Sequence, residues 1–382
     1  MNTAAIIVGA LLILVVLGEA FETIVLPRRV TRHFRLTRLY YRLVWSRWIG
    51  LSHLVRKAKR RESLLSWFGP LSLLGLLGVW AAGLILGFAM LDWATGSHLR
   101  LPDGTARGFW TDLYMSGTTF FTLGLGDVTP ESSFARFMTV IEGGTGFGFL
   151  ALMIGYLPTI YGAFSRRETN ITLLDSRAGS PPTAGELLRR HASDEESRAA
   201  VHELLAAWER WAAELLESHL SYPVLCYYRS QHDTESWLSA LTCILDTCAL
   251  VLTGVDGLPP RQAQLTFAIA RHALVDLAQI FSSPPKKPPA DRLPAEDLFV
   301  LRQILATAGL PLRDGAAADE RLEELRSLYE PYAYALGTFM LLKLPPWFPA
   351  KQQRDNWQTS AWGRITQGIE MKKVDGPKEE HF

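Results

Sequence analysis

Three long apolar stretches set the pattern of this chain. Residues 6–26 are apolar apart from Glu19 and Glu22, and residues 71–91 carry no charge. Residues 143–164 are again uncharged, continuing an apolar run that starts at Phe134 and holds a single acid, Glu142. Each is long enough for the roughly 20 apolar residues a helix needs to cross a bilayer. Between the second and third stretch lie residues 109–121, helix-like but only about 20 Å long at 1.5 Å per residue. That segment is too short to span, so it is expected to enter the membrane and return. Non-helical backbone at such depth is tolerated only where it lines a cavity or is buried in protein.

Beyond residue 164 the pattern turns amphipathic and polar. Helices are expected over 193–220, opened by the capping-box pair Ser193 and Glu196, and over 234–254, with Asp233 or Thr234 as cap. Others follow over 260–281 after Pro259 and Pro260, over 295–308 and over 317–342. Residues 282–294 hold five prolines and read as a loop. No segment alternates as a strand does, and no internal repeat is visible.

The returning segment ends in TTFFTLGLGDVTP at residues 118–130. An extended backbone with glycine at alternate positions can line a narrow pore with carbonyl oxygens, which replace the hydration shell of a cation. Aiming successive carbonyls at one axis takes left-handed backbone angles, cheap only for glycine. Gly124 and Gly126 supply them, Thr122 adds a hydroxyl, and Asp127 places charge at the outer mouth.

TLGLGD at residues 122–127 resembles the selectivity filter of the potassium channels, whose usual form is TVGYG. The GLG variant is similar to the second pore loop of two-pore-domain potassium channels, and the layout resembles bacterial channels with one pore loop per chain. The resemblance covers residues 66–167. It implies an all-α fold: a pore domain of two spans with a re-entrant helix and filter, an additional N-terminal span, and a helical cytosolic domain. It implies K⁺ held by Thr122, Leu123, Gly124, Leu125 and Gly126, with four copies of the chain closing the ring. Gly146 is then a hinge candidate in the inner helix, with close helix packing as the rival reading. Pro158 is a gate candidate or a static bend. Three departures stand out. Leu125 replaces the usual Tyr, Tyr114 and Met115 replace two Trp, and Thr118 occupies a position where some members carry a buried Glu. A weakly selective cation channel, or a membrane sensor or scaffold working through its cytosolic domain, are the alternative readings.

The near-zero net charge of +1 hides an asymmetry. Residues 28–61 hold twelve Arg or Lys and no acid, leaving 27 basic against 38 acidic residues elsewhere. The positive-inside rule puts that loop in the cytoplasm, the N-terminus outside and the C-terminal half inside, as in a multi-pass protein of the bacterial inner membrane. No basic n-region or small-residue cleavage site suggests a signal peptide. Arg29, Arg32, Arg35, Arg38 and Arg42 read as a basic helix on anionic lipid of the inner leaflet, anchored by Leu39, Tyr40, Trp45 and Trp48. A voltage sensor is the weaker reading, since a single span precedes them. Glu19 and Glu22 are expected to pair with nearby arginines, and Glu142 to bond Thr118 or Thr119 behind the pore.

The expected organisation is an N-terminal span (1–27), the basic segment (28–62), the pore domain (63–167), a linker (168–183), a helical domain (184–350) and a loosely ordered tail (351–382). Cys226, Cys243 and Cys248 read as buried structural thiols. The run 229–233 reads as a helix-to-helix turn or a pocket lining. No G-x-G-x-x-G follows a strand, no His or Cys spacing suits zinc, and no catalytic triad stands out. The expected function is passive transport without an organic cofactor or a nucleic-acid partner.

Overall fold

A computed structural model describes residues 2–26, 35–96, 98–101, 108–232 and 234–349. Arg29, Arg32, Asp233 and the tail from 351 lie outside the described residues. Among the described residues the fold is helical apart from one short two-stranded ribbon and an isolated bridge between Val255 and Leu312, and the chain forms two compact units, Met1–Gly162 and Ala163–Phe382.

The first unit opens with α1 (Thr3–Ala20), extended by a π-helical turn at Phe21–Val25. Then come α2 (Leu36–Leu54), α3 (Ala58–Thr95), β1 (Leu99–Arg100), α4 (Phe109–Phe120), β2 (Thr129–Pro130) and most of α5 (Ser133–Ala178). Asn2 starts α1: its side chain accepts from Ala5 N at 3.4 Å, and its own N–H donates to the Ala94 carbonyl at 3.1 Å. Downstream, α1 and α3 meet over glycine. A Cβ on Gly87 would stand 2.6 Å from Ile13 Cγ1, one on Gly9 would stand 2.8 Å from Gly87 O, and one on Gly83 would stand 3.0 Å from Val16 Cγ2. Small residues four apart let membrane helices approach where no hydrophobic force pulls them together. Ile13, Val16, Trp80, Leu84, Phe88 and Phe120 fill the core beside that seam. Outward-facing Ile7, Leu14, Leu74, Phe147 and Ile154 are exposed, as suits contact with hydrocarbon.

Among the described residues, Glu19 meets the start of α2. Its carboxylate accepts from Leu36 N and Thr37 N, each at 3.1 Å, and from Thr37 Oγ1 at 2.7 Å. It therefore caps α2, satisfying orphan N–H groups and complementing the helix dipole. The aromatic side chains of α2 contact α3. Tyr40 Oη donates to Ser72 O at 2.8 Å, Trp48 Nε1 donates to Leu64 O at 3.1 Å, and Trp45 stacks on Phe68 at 4.6 Å. Three of the four expected lipid anchors thus pack on α3, while Leu39 stays exposed. Arg35 bonds Thr23 at 3.2 Å, and Arg38 and Arg42 are exposed.

The second unit holds the last turns of α5, then α6 (Ala184–Arg190), α7 (Glu195–Ser221), a 3-10 turn (Pro223–Tyr227) and α8 (Trp237–Gly254). It ends with α9 (Pro260–Ile280), α10 (Ala295–Ala308), α11 (Ala316–Ser327) and α12 (Glu330–Met340). Residues 168–178 are helix rather than linker, because Ile171, Leu174 and Ala178 are fully buried in this unit. Caps sit slightly later than expected. Asp194 accepts from Ser197 N at 2.7 Å, and Ser236 accepts from Ser239 N at 3.0 Å. The single helix expected over 317–342 is two, parted at Leu328 and Tyr329 ahead of Pro331. The free thiols of Cys226, Cys243 and Cys248 are buried, and burial pushes all three up.

Among the described residues four helices are long and apolar enough to cross a membrane: α1 with its π turn, α3, α5 and α8. The last is enclosed by protein, with 89% of its length buried. A polar seam fixes it. Arg292 bonds Asp246 at 2.7 and 3.2 Å and Glu330 at 2.8 Å, while Tyr329 Oη donates to Asp246 at 2.5 Å. The guanidinium groups of Arg292 and Arg326 each lie 5.6 Å from the Trp347 ring.

Two predictions follow from this packing. Gly87→Leu should cost about 1–3 kcal/mol by overpacking the α1–α3 seam, read as a lower unfolding midpoint in detergent, whereas Gly78→Leu, with open space at its Cβ, should cost little. Asp246→Asn should cost about 3–5 kcal/mol, because it leaves the Arg292 charge buried with less compensation. Thermal unfolding of the full-length protein measures it.

Candidate functional site

The site grows out of the end of α4. At 1.5 Å per residue its twelve residues reach only about 18 Å. Its last turn tightens: Phe121 N bonds Gly117 O at 3.1 Å, Thr122 N bonds Thr119 O at 3.0 Å, and Leu123 N bonds Thr118 O at 2.8 Å. The backbone then leaves the helix with left-handed angles at every second residue, φ +56° at Thr122, +57° at Gly124 and +80° at Gly126. In an ordinary extended strand successive carbonyls face opposite sides; a left-handed residue at alternate positions lets them share one side. Gly124 and Gly126 take these angles readily. Thr122 is β-branched and takes them under strain, an outlier of the sort found at functional sites. The sequence pattern marks the two glycines and is silent on Thr122.

The mouth of the loop is tied from two directions. Tyr114 Oη donates to Asp127 Oδ2 at 2.8 Å. β1 pairs antiparallel with β2, Leu99 opposite Pro130 and Arg100 opposite Thr129, and Glu131 N donates to His98 O at 2.8 Å. Leu99, Met115 and Val128 form a small apolar cluster under that ribbon. The side chains of Leu123 and Leu125 are 60% and 62% exposed on the single chain.

Behind the loop, α3, α4 and α5 converge on Ser116. Its hydroxyl donates to Ile85 O at 2.8 Å and also bonds the buried Glu142 carboxyl. The partner of Glu142 is therefore Ser116, rather than Thr118 or Thr119. Thr118 turns its hydroxyl back to the Met115 carbonyl at 2.9 Å, and the Thr119 methyl lies 3.8 Å from where a Cβ on Gly143 would stand. Asp92 on α3 and Asp112 on α4 are buried in the same unit and were not singled out from the sequence. The signal available was the i, i+4 spacing of Asp112 and Ser116 on one face of α4.

Gly146 faces the end of α4, where any Cβ would overlap the Phe120 carbonyl oxygen. α5 runs through both Gly146 and Pro158 as one helix. In the second unit Arg229 donates to Leu341 O at 3.2 Å and to Met340 O at 2.7 Å, capping α12. The described part of the run 229–233 thus serves as structural turn. Among the described residues no cluster of His, Cys, Asp or Glu is arranged to hold a metal ion.

Comparisons agree with this geometry. A family described as "Ion channel" matches residues 78–161, the segment from mid-α3 through the filter loop into α5. A Bacillus subtilis (strain 168) protein named "Uncharacterized membrane protein YdjJ" is 23% identical over 193 residues, covering 50% of this chain and 55% of that protein. The chain thus spans about half the length of that curated relative. No solved structure matches. An ion-channel domain is present in an all-helical membrane protein.

Proposed function

We propose that this protein is a tetrameric, potassium-selective channel that passes K⁺ down its electrochemical gradient. The observation that carries the reading is the alternation of left-handed angles at Thr122, Gly124 and Gly126, in a loop that follows a helix too short to span. Carbonyls of residues 122–126 and the Thr122 hydroxyl would replace the water shell of the ion. The C-terminal end of α4 adds the negative end of its dipole. Asp127 would draw cations to a mouth that Tyr114 holds in place.

One loop per chain lines one side of a pore, so four chains are needed to surround an ion. The exposure of Leu123 and Leu125 is consistent with neighbours covering them. Gly146 and Pro158 are the gating candidates on α5, whose far end lies in the helical domain. The N-terminus would face outward and the helical domain the cytoplasm of a bacterial cell. Lys59, Arg60 and Arg61 are exposed in the first turn of α3, where basic charge opposes the helix dipole. An anionic inner leaflet would compensate that cost and attract Arg38 and Arg42, each worth about 1 kcal/mol near such a surface.

Purified protein in liposomes should pass K⁺ and Rb⁺ far better than Na⁺. Gly124→Ala should abolish the flux, since a Cβ in the left-handed region costs about 1–2 kcal/mol and tilts a coordinating carbonyl. Equal Na⁺ and K⁺ flux would replace this reading with a weakly selective pore, and no flux at all would favour a sensor or scaffold. Native mass spectrometry should give a mass near four times 42.7 kDa. A dimer would overturn the architecture, because two such loops cannot enclose an ion.

A further inference from the structure

Arg167 lies on the part of α5 that belongs to the helical domain, and its side chain is almost fully buried. A guanidinium carries five N–H donors in a rigid fork, and every one is engaged. Nε and Nη2 meet Glu168 Oε1 at 2.9 Å, Nη1 donates to Leu225 O at 2.8 Å, and Nη2 donates to Tyr228 O at 2.8 Å. The remaining Nη1 donor meets His219 Nε2 at 3.2 Å. Burial, and then the Arg167 charge, holds His219 well below the ordinary histidine range, so the ring stays neutral and accepts. The Phe164 ring stacks 5.1 Å from the guanidinium carbon, and Trp211 Nε1 donates to the Arg167 carbonyl at 3.4 Å.

Two of the partners of Arg167, the carbonyls of Leu225 and Tyr228, lie on the connector between α7 and α8, while His219 belongs to α7 and Glu168 to α5 itself. Ser230 lies on the connector too and bonds Glu168 at 3.3 Å. Arg229 of the same connector caps the C-terminus of α12, and Trp237 at the start of α8 donates to Cys226 O at 3.2 Å. A displacement of α8 or α12 therefore acts on the connector, and the connector grips α5 chiefly through the Arg167 guanidinium, with Ser230 on Glu168 and Tyr228 against Phe164 beside it. We infer that Arg167 is the positioning residue through which the helical domain sets the conformation of the pore-lining helix. This rests on the conduction reading above. A planar fork with four fixed partners defines both the rotation and the height of a helix; a lysine, with one flexible ammonium, defines neither.

Single-channel recording of the full-length protein tests the inference. Arg167→Lys and Arg167→Gln should each change open probability by about fivefold or more, the lower end of ordinary allosteric coupling, and leave the K⁺ over Na⁺ preference unchanged. Because either variant can simply weaken folding, a third leaves the grip intact and softens the helix above it. Ser165 and Arg166 are exposed, and replacing both with glycine should shift open probability in the same direction. Amide exchange over residues 163–170 should quicken in the Arg167 variants, showing that the grip has been released. A conducting protein whose open probability is the same in all three variants overturns this inference alone. A wild-type protein that conducts nothing overturns the conduction reading and the inference together.

Discussion

A loop whose backbone turns left-handed at every second residue cannot pair its carbonyls within a regular helix or strand. That constraint organises the first unit. Residues 122–126 take alternating left-handed angles, and Thr122 takes one at a steric cost that only its surroundings can hold in place. The surroundings do so from every side that the single chain provides. Tyr114 bonds Asp127 at the mouth, the two-residue ribbon joins the chain before α4 to the chain after the loop, and Leu99, Met115 and Val128 pack beneath.

The same demand for closeness explains the glycines and the polar groups deeper in the unit. Ser116 joins α3 to α5 through Ile85 and Glu142, satisfying polar atoms that lipid cannot. Gly146 lets α5 come against the very residue where α4 ends, so the helix behind the loop and the helix that launches it share a backbone contact. Gly9, Gly83 and Gly87 bring α1 onto α3 by the same means. Glu19, an acid in an apolar span, reaches across to cap α2 and so fixes where that helix begins.

The second unit follows a different rule. α8 is apolar enough for a bilayer but is surrounded by protein, and its one buried acid, Asp246, anchors an ion-pair network with Arg292, Tyr329 and Glu330. Such a network contributes specificity of arrangement more than raw stability. Arg167 plays the corresponding part at the start of the unit, where a buried charge with all donors engaged leaves α5 a single way to enter.

The sequence determined by itself everything that depends on local pattern. Hydropathy placed the long apolar helices of the first unit, segment length marked α4 as too short to span, and proline placed the loop between α9 and α10. The spacing of Gly124 and Gly126 foretold where left-handed angles would fall, because only glycine takes them without penalty. The tertiary structure decided which polar group meets which. Glu142 meets Ser116 instead of a threonine because Thr118 turns back on its own helix, and Glu19 caps a helix because α2 begins beside it. It also decided how far α5 runs: residues 168–178 look like a polar linker in one dimension, yet Ile171, Leu174 and Ala178 find a core in the second unit and stay helical. Strain at Thr122 was likewise invisible, since a residue adopts an unfavourable angle only when neighbours distant in the chain impose it.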